Sequence, residues 1–292
     1  MQPLIPEWFV SSFAAATVFA VMFGLGLGLR PREFLLAWRR PERMLVALFA
    51  VLVAVPVLAI VVARGLRLPL AAEVGIALMA IAPGAPIALQ RSLGAGAERC
   101  FAPGLQVTVA LVAVVSMPVS VALLDQLFNT SAVLSHWHVM KQVSVVQLLP
   151  LATGVAIGRL LPGPASRLAA HVERFGKLLL LVLVGVAVAA FWTVIIAAGP
   201  AVALAAALTT AAALAVGHWL GGEDPGTRTA VAIASAARNP GLALLVASLN
   251  SAPPAVKATV LSYMVVAAFT VLPYALLRGR GARTLESPET GK

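Results

Sequence analysis

Long apolar runs separated by short polar segments make up almost the whole chain. Nine of these runs approach the roughly 20 residues that a helix needs to cross a lipid bilayer. They cover residues 8–29, 44–63, 69–90, 101–124, 143–161, 178–198, 201–220, 230–249 and 255–277. The alternating pattern of membrane strands, which repeats over about ten residues, does not occur in the sequence. The sequence therefore predicts an all-α polytopic membrane protein with nine transmembrane helices.

Two of the nine runs are interrupted by helix breakers. The third run contains Pro83, Gly84 and Pro86, and the eighth contains Pro240 and Gly241. Proline lacks the backbone N–H that a helix uses and glycine tolerates unusual dihedral angles, so both helices should break there. With nine spans, the third and eighth runs cross the membrane in opposite directions. Opposed broken helices indicate an inverted repeat, with a transport site where the breaks cross.

Composition supports a membrane protein. Of the 292 residues 61% are hydrophobic and 11% are charged, and the mean hydropathy is +0.98. This apolar fraction is far higher than that of a water-soluble domain. Cys100 is the single cysteine, which excludes an intrachain disulfide and a cysteine metal cluster. Enzyme signatures such as G-x-S-x-G, H-E-x-x-H or paired carboxylates within a span do not occur, so we expect no enzyme.

The positive charge predicts the orientation of the chain. The net charge is +10, and the basic residues lie in short segments between apolar runs. That placement favours a topology signal that faces anionic lipid over a nucleic-acid site. With the N-terminus outside, 16 of the 21 Lys and Arg residues lie on the cytoplasmic side and four lie outside. We expect an inner (plasma) membrane protein with a cytoplasmic C-terminus, anchored by the arginine-rich segment 30–43.

Arg238 is the remaining basic residue, and it is predicted to lie within the eighth span beside the break. A charge at the centre of a membrane helix costs about 2.5–3.5 kcal/mol on insertion scales. The nearest acidic residues, Glu73, Glu98 and Asp125, fall near the ends of their spans, so none is placed to pair with it. The guanidinium either binds a substrate carboxylate or sulfonate, or provides an internal charge for helix-end carbonyls. The sequence leaves both roles open.

Other polar residues complete the candidate site. Asn239 either contacts substrate or bonds within the helix break. Gln106 should face the bundle, and Thr193 is a candidate wall residue. His136 and His138 could touch a metal, but no acidic or cysteine cluster accompanies them, so we expect no metal there. The predicted substrate-binding set is Arg238, Asn239, Gln106, Pro83, Gly84, Pro240, Gly241 and Thr193.

Three stretches resemble motifs of the bile acid:sodium symporter family. Residues 23–34 resemble the end of its first common helix, residues 81–86 resemble its Pro-Gly-Gly break, and residues 239–243 resemble its second break, Asn-x-Gly-Leu-Ala. The resemblance follows nearly the whole chain in order and spacing. It implies two crossing discontinuous helices and organic anions moved by alternating access. It also implies one membrane domain over 1–292, with core helices at about 44–124 and 201–277 and panel helices at about 8–29 and 143–198.

The sequence departs from this family where the sodium-dependent members carry their ligands. The residues that the resemblance places at those positions are Val51, Ala88, Leu89, Ala102, Gln106, Ala234 and Arg238. Hard cations need several oxygen ligands, and nearly every side chain here offers none. We therefore expect no cofactor and no two-sodium scheme, with Arg238 permanently in place of a sodium charge. The expected function is secondary transport of a small carboxylate or sulfonate; the alternative is a non-transporting membrane sensor or scaffold of the same fold.

Overall fold

The computed structural model describes residues 7–29, 31–84, 88–128, 141, 144–249 and 252–286, and this part of the chain is helical with connecting turns and no strand. Its helices are α1 (Glu7–Gly28), α2 (Pro31–Ala37), α3 (Pro41–Phe49), α4 (Val55–Gly65), α5 (Leu70–Ile81), α6 (Ala88–Gly94), α7 (Phe101–Phe128), α8 (Leu149–Leu160), α9 (Pro162–Ala197), α10 (Gly199–Leu220), α11 (Pro225–Ala236), α12 (Pro240–Leu249) and α13 (Pro254–Glu286). Two π-helical segments, Ala50–Ala54 and Ser144–Leu148, precede α4 and α8. The predicted all-α class is confirmed.

Several helical stretches are long and apolar enough to cross a membrane. Within the described residues they are Pro41–Gly65, Phe101–Phe128, Gly199–Leu220, Pro225–Ser248 and Pro254–Gly281. Shorter apolar helices are Ala15–Gly28, Leu70–Ile81 and Ser144–Leu160. The chain is therefore a multi-pass helical membrane protein. The count of nine spans, the orientation of the termini and the inverted repeat stay predictions.

Helices α1, α8 and α9 pack on one another. Glycine allows α1 and α8 to touch along their backbones. A Cβ added to Gly26 would lie 2.3 Å from the Leu151 carbonyl oxygen, and one added to Gly154 would lie 2.4 Å from the Phe23 carbonyl oxygen. Such distances are impossible for a real side chain, so only glycine permits this crossing.

The broken helices share a buried cluster with α4, α10 and α13, and α12 also packs against α1. Helix α5 packs against α4 and α13, while α10 packs against α4, α11 and α13. Ile81 and Ala82 at the first break share one apolar cluster with Leu242 and Ala243 after the second break. The described residues of both breaks are therefore buried in the same apolar interior.

Several predicted bounds differ from the observed ones: α9 begins at Pro162, ahead of the predicted 178, and α13 continues to Glu286, beyond the predicted 277. Helix α11 begins at Pro225, ahead of the predicted start at 230, because the Asp224 carboxylate accepts a 2.6 Å hydrogen bond from the Thr227 backbone N–H and caps the helix. The segment 30–43 is not an open loop, since it contains α2. The Trp38 Nε1 donates a 3.2 Å hydrogen bond to the Thr108 hydroxyl, which ties this segment to α7.

Candidate functional site

The first break begins where α5 ends at Ile81. The Ala82 N–H donates a 3.3 Å hydrogen bond to Met79, and the chain then leaves the helical path. Gly84 has a φ of +78°, which favours glycine over any residue with a side chain. A Cβ at Gly84 would lie 3.7 Å from the Gln106 Nε2, so the Gln106 amide borders this break. Pro83 and Gly84 are both buried, while Pro86 lies outside the described residues.

The second break consists of residues 237–239, between α11 and α12. The Asn239 Oδ1 accepts a 3.1 Å hydrogen bond from the Leu242 backbone N–H, which caps α12. Pro240 occupies the first helical position, where a missing N–H has no cost. Asn239 therefore takes part in the bonding of the break. Its Nδ2 is buried and has no hydrogen-bond partner in the described part of the chain.

The two breaks are in direct contact through their main chains. The Asn239 backbone N–H donates a 2.9 Å hydrogen bond to the Ala82 carbonyl oxygen. Each group is freed by the interruption of its own helix, because helix termini leave unpaired N–H and carbonyl groups. The structure thus brings Pro83 and Gly84 together with Asn239, Pro240 and Gly241.

The Arg238 guanidinium lies beside this contact and is only 4% exposed. Its Nη1 donates hydrogen bonds of 2.9 Å to the Val51 carbonyl oxygen and 2.8 Å to the Ala80 carbonyl oxygen. Its Nε and Nη2 are buried with no partner among the described residues. Arg238 therefore provides a positive charge for helix carbonyls through one nitrogen, and two nitrogens are left for another partner.

The Val51 carbonyl is available because of the first π segment. In an α-helix the carbonyl of residue 51 would accept from residue 55, and in a π-helix from residue 56. The Val55 N–H donates instead to the Ala50 carbonyl, and Pro56 has no N–H. The Ala80 carbonyl is among the last four of α5, which have no partner within the helix. Two unpaired carbonyls thus meet at one buried cation.

Buried hydroxyl groups surround the same region of the bundle. The hydroxyl oxygens of Thr209, Thr210, Ser235 and Tyr263 are buried, and those of Thr209 and Ser235 have no partner within the described residues. Thr210 and Tyr263 lie close enough to interact with each other. Tyr263 lies close enough to Arg238 for the two to interact electrostatically. Sequence reasoning missed Thr209, Thr210 and Tyr263. A threonine in a membrane helix is a weak signal, because its hydroxyl commonly bonds to a carbonyl of its own helix.

The remaining candidates lie elsewhere. Thr193 is exposed on α9, outside the buried group around Arg238. Ala88 and Ala102 are buried, whereas Leu89 and Ala234 are half-buried. His136 and His138 lie outside the described residues. Across the described ranges, no group of three or more His, Cys, Asp or Glu side chains is placed to hold a metal ion.

Discontinuous helices that meet at their breaks, in a multi-pass helical bundle, are typical of secondary transporters. The sequence model of the sodium bile acid symporter family matches residues 15–217, so the chain belongs to this family. This confirms the resemblance noted in the sequence motifs. The match includes the first break and ends before the second. A comparison with curated proteins finds no match.

Proposed function

We propose that the protein is a secondary transporter of a small organic anion, a carboxylate or a sulfonate, and that it works by alternating access without the two-sodium scheme. The observation that carries the proposal is the Arg238 guanidinium bound to the Val51 and Ala80 carbonyls where the two breaks meet. Membership of a transporter family supports the general activity. The unpaired nitrogens of Arg238 and Asn239 supply hydrogen-bond donors that an anion would accept.

In this proposal sodium coupling is absent because the guanidinium already binds the carbonyl oxygens that would attract a cation. Carbonyl oxygens at a helix C-terminus carry partial negative charge and favour a cation. Arg238 Nη1 lies within 2.9 Å of both carbonyl oxygens, a distance at which no free ion can come between them. The positive charge is therefore covalently attached and does not cross the membrane. Transport would then be facilitated, proton-coupled or an exchange of anions.

Alternating access requires two bodies that move against each other. In this proposal α1, α8 and α9 form the panel, and the helices that contain and support the breaks form the core. The mutual packing of the three panel helices supports this division. On the predicted cytoplasmic side, the Gln90 Nε2 of α6 donates a hydrogen bond to the Glu173 carboxylate of α9, joining core to panel. This bond has to break when the two bodies separate on that side.

Transport assays in proteoliposomes test the proposal. Purified protein is reconstituted, and exchange of labelled carboxylates and sulfonates is measured with sodium or choline as the only monovalent cation. We expect the same rate in both. Strict sodium dependence would contradict the role given to Arg238. A folded protein that moves none of these anions would favour the alternative, a membrane sensor or scaffold.

A further inference from the structure

A groove on the surface of the bundle lies away from the place where the two breaks meet. Its volume is about 110 Å³, and its walls come from α3, from the end of α10 with the turn that follows, and from α11. The groove thus joins three elements that are distant in sequence, and charged residues of both signs line it. The lining residues include Glu42, Arg43, Val46, Leu220, Thr227 and Val231.

The groove lies at the ends of three stretches that are long and apolar enough to cross a membrane. It includes the beginning of Pro41–Gly65, the end of Gly199–Leu220 and the beginning of Pro225–Ser248. In the predicted topology all three of these ends face the cytoplasm. Trp219, next to the lining residue Leu220, is 76% exposed, and tryptophan is typical of the boundary between hydrocarbon and headgroups. The groove therefore lies at the depth of the lipid headgroups.

An exposed apolar stripe on α3 leads from the groove toward the membrane interior. Leu45, Val46 and Phe49 follow Glu42 at spacings of three and four residues, which places all four on one face of the helix, and all four are exposed. The groove is well below the roughly 300–1,000 Å³ of pockets that hold drug-sized ligands, so it suits a headgroup and not a whole lipid. The acyl chains of a lipid bound there would lie along this stripe.

The charges at the groove match a ligand that carries both signs. Arg43 is half-buried and interacts electrostatically with Asp224, whose carboxylate already accepts the hydrogen bond that caps α11. Glu42, the second charged lining residue, is exposed. A phosphate alone would be attracted by Arg43 and repelled by the two carboxylates. A phosphate with an ammonium group a few bonds away pairs with both Arg43 and Glu42.

We propose that the groove binds the headgroup of a phospholipid with both a phosphate and a primary ammonium group, as in phosphatidylethanolamine. The phosphate oxygens accept hydrogen bonds from Arg43, and the ammonium donates to the Glu42 carboxylate. A choline headgroup has no N–H to donate, and a glycerol headgroup has no positive charge. Because α11 ends at the second break, a lipid bound here connects the beginning of that broken helix to α3. The site is separate from the proposed transport site and does not depend on it.

Native mass spectrometry of the delipidated full-length protein tests this assignment. Phosphatidylethanolamine, phosphatidylcholine and phosphatidylglycerol with identical acyl chains are titrated, and their dissociation constants are compared. Because a partly exposed ion pair is weak, we expect the wild type to bind phosphatidylethanolamine about three- to fivefold more tightly than the other two. Glu42→Gln should bring this preference close to one and leave the affinity for phosphatidylcholine unchanged. Arg43→Gln should weaken the binding of phosphatidylethanolamine and phosphatidylcholine by a similar factor, because both contain the phosphate.

Two further variants separate the groove from its surroundings. Glu223→Gln removes an exposed carboxylate that does not line the groove, so it should keep the wild-type preference. Val46→Trp places a large side chain in the groove and should weaken the binding of all three lipids. Equal affinity of the wild type for phosphatidylethanolamine and phosphatidylcholine, or tighter binding of phosphatidylglycerol, would overturn the assignment. So would a preference that survives in Glu42→Gln, or one that Glu223→Gln abolishes to the same extent. Organic-anion transport is measured separately, so these outcomes leave the proposed function unaffected.

Discussion

Replacing Arg238 with alanine tests whether a cation is needed where the two breaks meet. The substitution removes the nitrogen that binds the Val51 and Ala80 carbonyls at 2.9 and 2.8 Å. Each buried carbonyl left without a donor costs about 1–3 kcal/mol. Removal of a buried charge returns part of this, because desolvation of the charge opposed folding. Two carbonyls lose their donor, which alone would cost about 2–6 kcal/mol, so we expect Arg238→Ala to lower the free energy of unfolding by less than this sum.

Thermal unfolding in detergent measures the loss, and added cations show its cause. Low millimolar guanidinium or methylguanidinium should raise the melting temperature of Arg238→Ala and leave the wild type unchanged, because a free cation can enter the vacated position. Arg238→Lys should fall between the two, since an ammonium keeps the charge but lacks the planar fork of donors. Transport by Arg238→Ala should be at least tenfold slower than that of the wild type.

A matched control is available at the surface. The exposed Arg64 also donates to a main-chain oxygen, the Leu127 carbonyl at 3.4 Å, and lies 5.5 Å from the Phe128 ring centroid. Arg64→Ala should cost less than about 1 kcal/mol, because water replaces its hydrogen bond. Equal and small losses in Arg64→Ala and Arg238→Ala, with no response to guanidinium, would refute the reasoning about the buried carbonyls.

Two smaller changes address the turns that position the site. Gly84→Ala forces a side chain into a φ of +78° and should lower the free energy of unfolding by about 1–2 kcal/mol, as measured by thermal unfolding. The control Gly185→Ala, in open space on α9, should not destabilise the protein. Equal effects of the two substitutions would contradict the conformational argument. Asp224→Asn tests the cap of α11. Burial raises the pKa of Asp224, but its hydrogen bonds, led by the one from the Thr227 N–H, outweigh the effect of burial and leave the pKa below its usual value. The ionised cap therefore contributes stability above about pH 4, and this stability is lost as the pH falls through the lowered pKa. The difference in melting temperature between wild type and Asp224→Asn should therefore shrink in acid. A difference that stays constant with pH would contradict this role of the ionised cap.

The breaks could be predicted from the sequence because their causes are local. Pro83, Gly84, Pro240 and Gly241 carry the disruption in their own backbone chemistry, and a membrane interior leaves few other uses for such pairs. The burial of Arg238 followed from its place within an apolar run. The hydrogen-bond partners of Arg238 could not be predicted, because Val51 and Ala80 contribute main-chain oxygens. An apolar side chain gives no sign that its carbonyl is unpaired.

The π register decides which carbonyl is free, and the sequence does not show it. In an α-helix, Pro56 would leave the carbonyl of Leu52 without a donor. In the observed π segment the Val55 N–H donates to Ala50, so the free carbonyl is that of Val51. A shift by one residue turns the carbonyl by about 100° around the helix and would remove it from Arg238.

In the proposed function a permanently attached charge replaces sodium, and the bonds across the breaks give the physical reason why side-chain ligands would then not be needed. Arg238 and Asn239 lie beyond the family match at 15–217, yet they bind the carbonyls of Val51, Ala80 and Ala82 within it. In the proposed function the guanidinium already neutralises the carbonyl oxygens of Val51 and Ala80. Side-chain oxygens at 88 and 102 would then have no cation to coordinate and would cost free energy as unpaired buried groups. A permanently attached cation therefore favours alanine at both positions. With a neutral residue at 238, side-chain oxygens at 88 and 102 could again coordinate a cation.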